Sequence, residues 1–341
     1  MPARGDSAGG AGETRAGVRL TNLDQPLFEE AAASKRDLVD YLDAVRDHIL
    51  PELADRPLSV IRVLRGQRPF MQKNVPKYTP PWVRTVTLWA ETSKRDVSYA
   101  LCDDRRTLLW FANQRAVEYH PTLIRAADWE HPTHLVLDID PPDDAPAGRP
   151  GGVRGDRPGV AAFAPAVGAA RLVRQALADA GLAGAVKTSG AKGLHIFVPV
   201  DGATIEEVAA ATRALAARAA RLDPALATTE FIREDRAGRV FIDSTRAGGA
   251  TVVAAYSPRN RPDVPVSFPV PWDELDRVTP RDFTMRTAPG LIAAGTTWAG
   301  LMPPPRPLPA DLVDEGREIP IARVQAMHEG KRRARARRDP P

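Results

Sequence analysis

The chain has 341 residues, 43% of them hydrophobic and 26% charged, with a formal net charge of +4. That much apolar chain supports one large domain or two small ones, and the slight positive excess is only a weak pull toward polyanions. The single cysteine, Cys102, excludes an internal disulfide and any cysteine-rich metal site. No apolar run approaches the roughly 18 residues of a membrane helix, so a reducing cytoplasmic setting without membrane attachment is expected.

Residues 1–17, "MPARGDSAGGAGETRAG", lack an apolar signal core and read as a disordered leader. "SKRDLVDYLDAVRDHILPEL" predicts a helix: Leu38, Tyr41, Leu42, Val45 and Ile49 recur at helical spacing, Ser34 is placed to cap it, and Pro51 is expected to stop it. "LSVIRVLRG" and "VRTVTLWA" predict strands, and "LLWFANQRAVEYH" reads as a strand end running into a short helix. "THLVLDID" is a strand, and the Pro/Gly-rich residues 141–165 are expected to form a long surface loop. A helix over "AVGAARLVRQALADAG" ends at Gly181. "GAVKTSGAKGLHIFVPV" reads as strand, glycine turn, strand, and "TIEEVAAATRALAARAARL" as a helix with a Thr204/Glu207 capping box. "RVFIDST" and "ATVVAAYS" predict short strands, and "WDELD" and "TPRDF" short helical turns. The tail "EGKRRARARRDPP" is a basic run after a predicted helix at 320–329, and reads either as a solvated end or as sequence-blind affinity for nucleic acid. Strands and helices alternate with hairpin-like pairs intruding, which predicts a mixed α/β fold.

Chemistry concentrates at "LVLDIDPP". Side chains alternate faces along a strand, so Asp138 and Asp140 point the same way with Cα atoms about 6.5–7 Å apart. Two carboxylates so placed repel each other unless a cation lies between them. Either they hold divalent metal or they flank a turn before Pro141-Pro142. Asp243 in "FIDST" again ends an apolar strand, as a turn residue or as a third oxygen ligand for a hard cation. In "KTSGAKGLHIFVP", Ser189-Gly190-Ala191-Lys192-Gly193 reads as a tight turn offering backbone N–H groups to an anion, with Lys192 and Ser189 adding donors. His195 follows as a ligand or a core residue. Arg259 and Arg261 in "YSPRNRPD" are either solvated loop arginines or forks for phosphate oxygens. Together these parts suit nucleotidyl transfer. A D-x-D metal site also serves glycosyl transfer from sugar nucleotides, a rival that the glycine turn and the arginine loop disfavour.

The set "LVLDIDPP", "TSGAKGLHIFVP", "VFIDST" and "YSPRNRPDVPVSFPVPWDEL", with "FMQKN", "PPWV" and "LLWFANQRAVEYHP" in the same order, resembles the primase-polymerase domain of bacterial DNA ligase D, within the archaeo-eukaryotic primase superfamily. The likeness runs over about 18–301, leaving 302–341 as a C-terminal extension. The resemblance implies a primase-like catalytic core around a mixed sheet with an N-terminal α/β module. It implies Asp138, Asp140 and Asp243 as catalytic ligands of two Mn²⁺ or Mg²⁺ ions, and Ser189, Lys192, His195, Arg259, Arg261 and His120 around the nucleoside triphosphate. It further implies Lys35 at a downstream 5′-phosphate, and Phe70 and Lys73 on the DNA. The implied activity is addition of nucleotides, preferentially ribonucleotides, to primer ends at gaps or double-strand breaks. A Ku-like end-binding protein and a separate DNA ligase would be its partners in the cytoplasm, at the nucleoid. Primer synthesis, and non-catalytic binding of DNA ends, are the alternatives within the same superfamily. The chain departs from the family at Gln25, where a second phosphate-binding lysine is usual, at Met71, where a second aromatic is common, and in "STRAGGATVV", which lacks an asparagine. No K-x-D-G ligase signature occurs, so a stand-alone polymerase is expected.

Overall fold

The computed structural model describes residues 13–28, 33–90, 94–142, 160–247, 250–295, 297–321 and 327. The chain opens with two small hairpins, β1 (Thr14–Arg15) with β2 (Val18–Arg19) and β3 (Pro26–Phe28) with β4 (Ala33–Ser34). Ordered structure therefore begins before Val18, and residues 13–17 are not leader. Residues 1–12 lie outside the described set. Ser34 caps α1 (Lys35–Ala44): its Oγ accepts from the Asp37 N–H, while the Asp37 carboxylate accepts from the Ser34 N–H at 2.6 Å. The expected single helix breaks at Val45 and resumes as α2 (Arg46–Leu53). Pro51 lies inside α2 and does not stop it. The proline forfeits one backbone bond, but Ile49 and Leu53 on either side of it are fully buried and keep the turn docked.

Strands β5 (Leu58–Arg62), β6 (Phe70–Gln72), β7 (Thr85–Ala90) and β8 (Arg95–Ala100) follow, then α3 (Arg105–Asn113) and β9 (Ala116–Pro121). They form a five-stranded sheet in which β9 pairs with β5. The expected order of strand then helix over "LLWFANQRAVEYH" is reversed. The deciding signal lies upstream of that window: Asp104 accepts from the Thr107 N–H at 2.8 Å and starts a helix on the preceding turn.

The second half carries β10 (His134–Asp140), α4 (Val160–Asp179), β11 (Ala185–Thr188), β12 (Leu194–Pro199), α5 (Ile205–Leu222), β13 (Ala227–Thr228), β14 (Val240–Asp243) and β15 (Pro269–Val270). Helices α6 (Ala288–Ala293), α7 (Trp298–Leu301) and α8 (Ala310–Glu318) close the chain. Six strands make one mixed sheet in the order β13-β14-β10-β12-β11-β15; β13 runs parallel to β14 and the other pairs are antiparallel. The fold is thus mixed α/β, as the alternation of elements predicts. α4 and α5 both pack against β10 at the centre of this sheet.

Two further expectations change, and a third lies largely outside the described residues. The predicted loop over 141–165 is shorter, because α4 starts at Val160 and accommodates Pro165; residues 143–159 lie outside the described set. "ATVVAAYS" is not a strand. It bonds to β9 irregularly, through a bridge of Thr251 to Thr122 and N–H groups of Val252 and Ala254, and ends at Tyr256 with φ +66°. The predicted helix at 320–329 falls largely outside the described residues. The helix that the structure does show beyond 301 is α8, which docks on α5 so closely that a Cβ at Gly316 would stand 1.9 Å from the Ala210 carbonyl oxygen. Glu315 receives Arg218 and Arg221 at 2.7 Å each. This part of the C-terminal extension is integral to the half that carries the six-stranded sheet.

Candidate active site

The centre of the six-stranded sheet carries a transverse row of ionisable groups. Lys187 on β11 stands opposite His195 on β12, His195 opposite Asp138 on β10, and Asp138 opposite Asp243 on β14. Directly opposed residues on neighbouring strands bring Cβ atoms within about 5 Å. Asp140 lies two residues on from Asp138, on the same face. Lys187, His195, Asp138 and Asp243 are all buried, and Asp140 is half-buried. The strand tolerates these acids because Leu135, Leu137 and Ile139, on its other face, are fully buried and anchor β10.

Burial drives the electrostatics, and charges nearby decide its outcome. Burial raises the Asp140 carboxyl, and Asp138 and Asp243 add to the effect against an opposing Lys192, leaving it at about 6. Burial would also raise Asp138, but His195, then Arg246 and Lys187, outweigh it and hold that carboxyl below the usual range. His195 is pushed down to about 4, chiefly by burial and then by Lys187. At neutral pH the pair is therefore an ionised Asp138 facing a neutral imidazole, with Nε2 3.4 Å from Asp138 Oδ1. Arg246 lies across two of the acids, 3.5 Å from Asp138 Oδ2 and 3.6 Å from Asp243 Oδ2.

Among the described residues, no three His, Cys, Asp or Glu side chains converge into a ready cage for an ion. The donor set nonetheless suits a hard divalent cation. Three carboxylates share two adjacent strands, their mutual repulsion shows in Asp140, and a guanidinium has already been drawn between Asp138 and Asp243. One consequence is measurable without any metal. Because the folded-state value of Asp140 lies above its ordinary 3.8, the native state binds that proton more tightly than the unfolded chain, and stability is lost as pH rises through about 6. Asp140→Asn should then stabilise the chelator-treated protein at pH 7, by at most about 3 kcal/mol and by about 1–2 kcal/mol once partial exposure is allowed for. Urea unfolding at pH 7 and pH 4 checks this. The gain should nearly vanish at pH 4, and an equal gain at both pH values would refute the like-charge account.

The turn between β11 and β12 is shaped differently from the expected anion cradle. Ser189 Oγ accepts from the N–H groups of Ala191 (3.2 Å) and Gly193 (3.3 Å), so two of the expected donors are satisfied within the turn. Gly190 has φ +68°, and a Cβ there would stand 2.5 Å from Cγ of Arg259. Arg259 is thereby laid over the turn, where it donates to the Ser189 carbonyl.

Glu118, which the sequence reading missed, holds this corner together. Its Oε2 lies 2.8 Å from His120 Nε2, and its Oε1 accepts from the Asn260 N–H at 2.9 Å. Arg259 Nε is 3.1 Å from Oε2, an ion pair without hydrogen-bond alignment. Burial opposes ionisation of Glu118, but the hydrogen bond from His120 and the charge of Arg259 bring it down to about 2. The available signal was period two on β9: Glu118 and His120 share a face. The N-terminal module thus meets the segment that carries Arg259 at this corner. Arg261, two residues on, is exposed, and Lys192 is half-buried.

The remaining expected residues lie on the N-terminal module. Phe70 and Met71 are exposed on β6, with Lys73 exposed just beyond. Arg62 lies over the Phe70 ring at 5.9 Å and donates to Gln72 and to the hydroxyl of Tyr78, a further exposed aromatic. Lys35 is only 2% exposed. Its Nζ donates to the Thr21 carbonyl at 2.5 Å and to Asn113 Oδ1 at 2.7 Å. Burial, with Arg115 nearby, lowers it to about 8.

Comparison with known proteins identifies the family of the chain. Residues 34–298 match the model of the LigD primase-polymerase domain. The chain is 32% identical over 276 residues to the bifunctional non-homologous end joining protein LigD of Bacillus subtilis, an alignment covering 79% of this chain and 41% of that protein. It is 33% identical over 285 residues to the multifunctional LigD of Mycobacterium tuberculosis, covering 79% and 34%. The chain therefore spans less than half the length of these curated relatives. Its structure is similar to the polymerase domain of M. tuberculosis ligase D solved in complex with DNA, with a TM-score of 0.70, 30% identity, and coverage of 84% of this chain and 97% of that one.

Proposed function

The chain belongs to the LigD primase-polymerase family, and from that premise we propose that it adds nucleotides to primer 3′ ends at gaps or breaks in DNA. The observation that supports this most directly is the register of Asp138, Asp243 and His195 across three adjacent strands, beside a turn overlaid by Arg259. Asp138, Asp140 and Asp243 would hold two Mn²⁺ or Mg²⁺ ions, which when bound supply charge neutralisation for the triphosphate and acidify the attacking hydroxyl. His195, Ser189, Lys192 and Arg259 line the triphosphate side, with Arg261 at the mouth. They bind it by charge-assisted hydrogen bonds and keep it aligned for in-line attack. Glu118 holds Arg259 and His120 in place before the nucleotide arrives. Ribonucleotides are the preferred substrates in this reading, with a Ku-like end-binding protein and a DNA ligase as partners and the nucleoid as the site of action.

DNA is held mainly through phosphates, so affinity should fall steeply with salt. Phe70, with Tyr78 beside it, offers faces on which template bases stack, each worth about 1–3 kcal/mol. Lys73 adds charge, and Lys35, whose buried amine is held by Thr21 and Asn113, would reach the downstream 5′-phosphate only by giving up those bonds. The decisive experiment is gap filling with a labelled primer, comparing ribo- with deoxyribonucleotides in Mn²⁺ or Mg²⁺, with and without the 5′-phosphate. Extension favoured by ribonucleotides and by the 5′-phosphate is expected, and no extension under any condition would overturn the reading. In the same assay Lys35→Ala should erase most of the 5′-phosphate preference, a loss of about 1–3 kcal/mol in binding. An unchanged preference would remove Lys35 from that role.

A further inference from the structure

Lys187 has no role in the chemistry proposed above, yet it is 0% exposed and stands at one end of the row of ionisable groups. Burying an amine that deeply is costly unless its donors find acceptors. Two are present. Nζ lies 2.6 Å from Ser267 Oγ and 2.8 Å from His195 Nδ1.

The directions of these bonds are constrained. The Ser267 hydroxyl donates its proton to the Thr188 carbonyl at 2.7 Å, so Ser267 Oγ can only accept from Lys187. At the other end of the row, His195 Nε2 faces the Asp138 carboxylate at 3.4 Å, and an acceptor there calls for a proton on Nε2. An ammonium at Lys187 has donors and no lone pair, so His195 Nδ1, at 2.8 Å, accepts from it and the imidazole carries its hydrogen on Nε2. All the donors then point one way along the row.

We propose that Lys187 is a positioning residue that locks His195 in the Nε2–H form, aiming that N–H at the acid row and the adjoining phosphate site while keeping the imidazole from acting as a metal ligand. An Nε2 that carries hydrogen cannot ligate an ion. The cation is then left to the carboxylates, and once they are engaged with it the single Nε2–H of His195 is free to donate to phosphate oxygen. The lysine acts only through His195, as outer partners that fix the tautomer of a site histidine do elsewhere. Lys187 also lies 5.3 Å from the centre of the Phe197 ring, two residues along the strand from His195, which leaves the amine little room to turn aside.

This inference rests on reading His195 as a triphosphate ligand, but its first test does not. Imidazole ¹⁵N spectra of the full chain, assigned with His195→Gln, should show His195 with Nε2 protonated and Nδ1 bare. The opposite tautomer in the wild type would overturn the proposal whether or not the protein polymerises. Lys187→Met, which keeps the length of the side chain without its donors, should convert His195 to a mixture of tautomers. With cooperative melting retained, it should lower kcat/KM for nucleotide addition by about 10- to 100-fold, mostly through KM. A folded Lys187→Met protein with the wild-type tautomer and wild-type KM would equally sink it. If the wild type shows the assigned tautomer but adds no nucleotides, the positioning role stands and the polymerase reading falls.

Discussion

Asp138→Ala should lower the rate of nucleotide addition by at least about a thousandfold, as loss of one member of a catalytic unit does, while binding to a gapped duplex changes little. Asp138 is the one acid that touches every neighbour in the row: His195 at 3.4 Å, Arg246 at 3.5 Å, and Asp243 by register. Its removal takes away the carboxylate that would hold the cation together with Asp140 and Asp243, and leaves Nε2 of His195 without its acceptor. The fold should survive, because Arg246 keeps its partner in Asp243 and repulsion on Asp140 is relieved. Single-turnover extension and binding titrations on the same DNA separate the two effects. Normal extension by Asp138→Ala in manganese would remove the aspartate row from the chemistry.

Gly193→Ala should destabilise the protein by about 3 kcal/mol or more, at the upper end for forcing atoms into a packed site. A Cβ at Gly193 would stand 2.1 Å from the Ile139 carbonyl oxygen, and backbone cannot swing aside as a flexible side chain can. Ile139 lies between the two aspartates of β10, and Leu194 pairs with it across the sheet. The strain must therefore open the β10–β12 pair at the point where the acids and His195 are set. Urea unfolding should report the loss of stability, and residual activity of the folded fraction should fall with it. Stability within about 0.5 kcal/mol of wild type, the range of a surface substitution, would mean that the two strands separate more easily than their packing implies.

Much of the molecule was legible in the chain. The apolar run of "THLVLDID", the glycine turn, the cap at Ser34 and the capping box at Thr204 are local signals, and local physics produced those elements where expected. Misreadings arose where the signal was outside the window or where packing overrode it. Asp104 started α3 upstream of the segment that had been read as a strand, and buried neighbours carried α2 through Pro51. "ATVVAAYS" has strand composition, but the left-handed Tyr256 and irregular bonds to β9 prevent a ladder.

The candidate site divides in the same way. Residue type and spacing along one strand determined that Asp138 and Asp140 share a face, and that a glycine turn precedes His195. Only the tertiary structure decided that Asp243 stands opposite Asp138, that Glu118 ties Arg259 to His120, and that a lysine inside the sheet meets the far nitrogen of His195. The reason is that strand periodicity is a property of consecutive residues, whereas cross-strand register and the pairing of buried charges arise between different segments, those of Asp138 with Asp243 and of Glu118 with Arg259 lying more than a hundred residues apart. Those pairings are settled by which partners can satisfy one another once water is excluded.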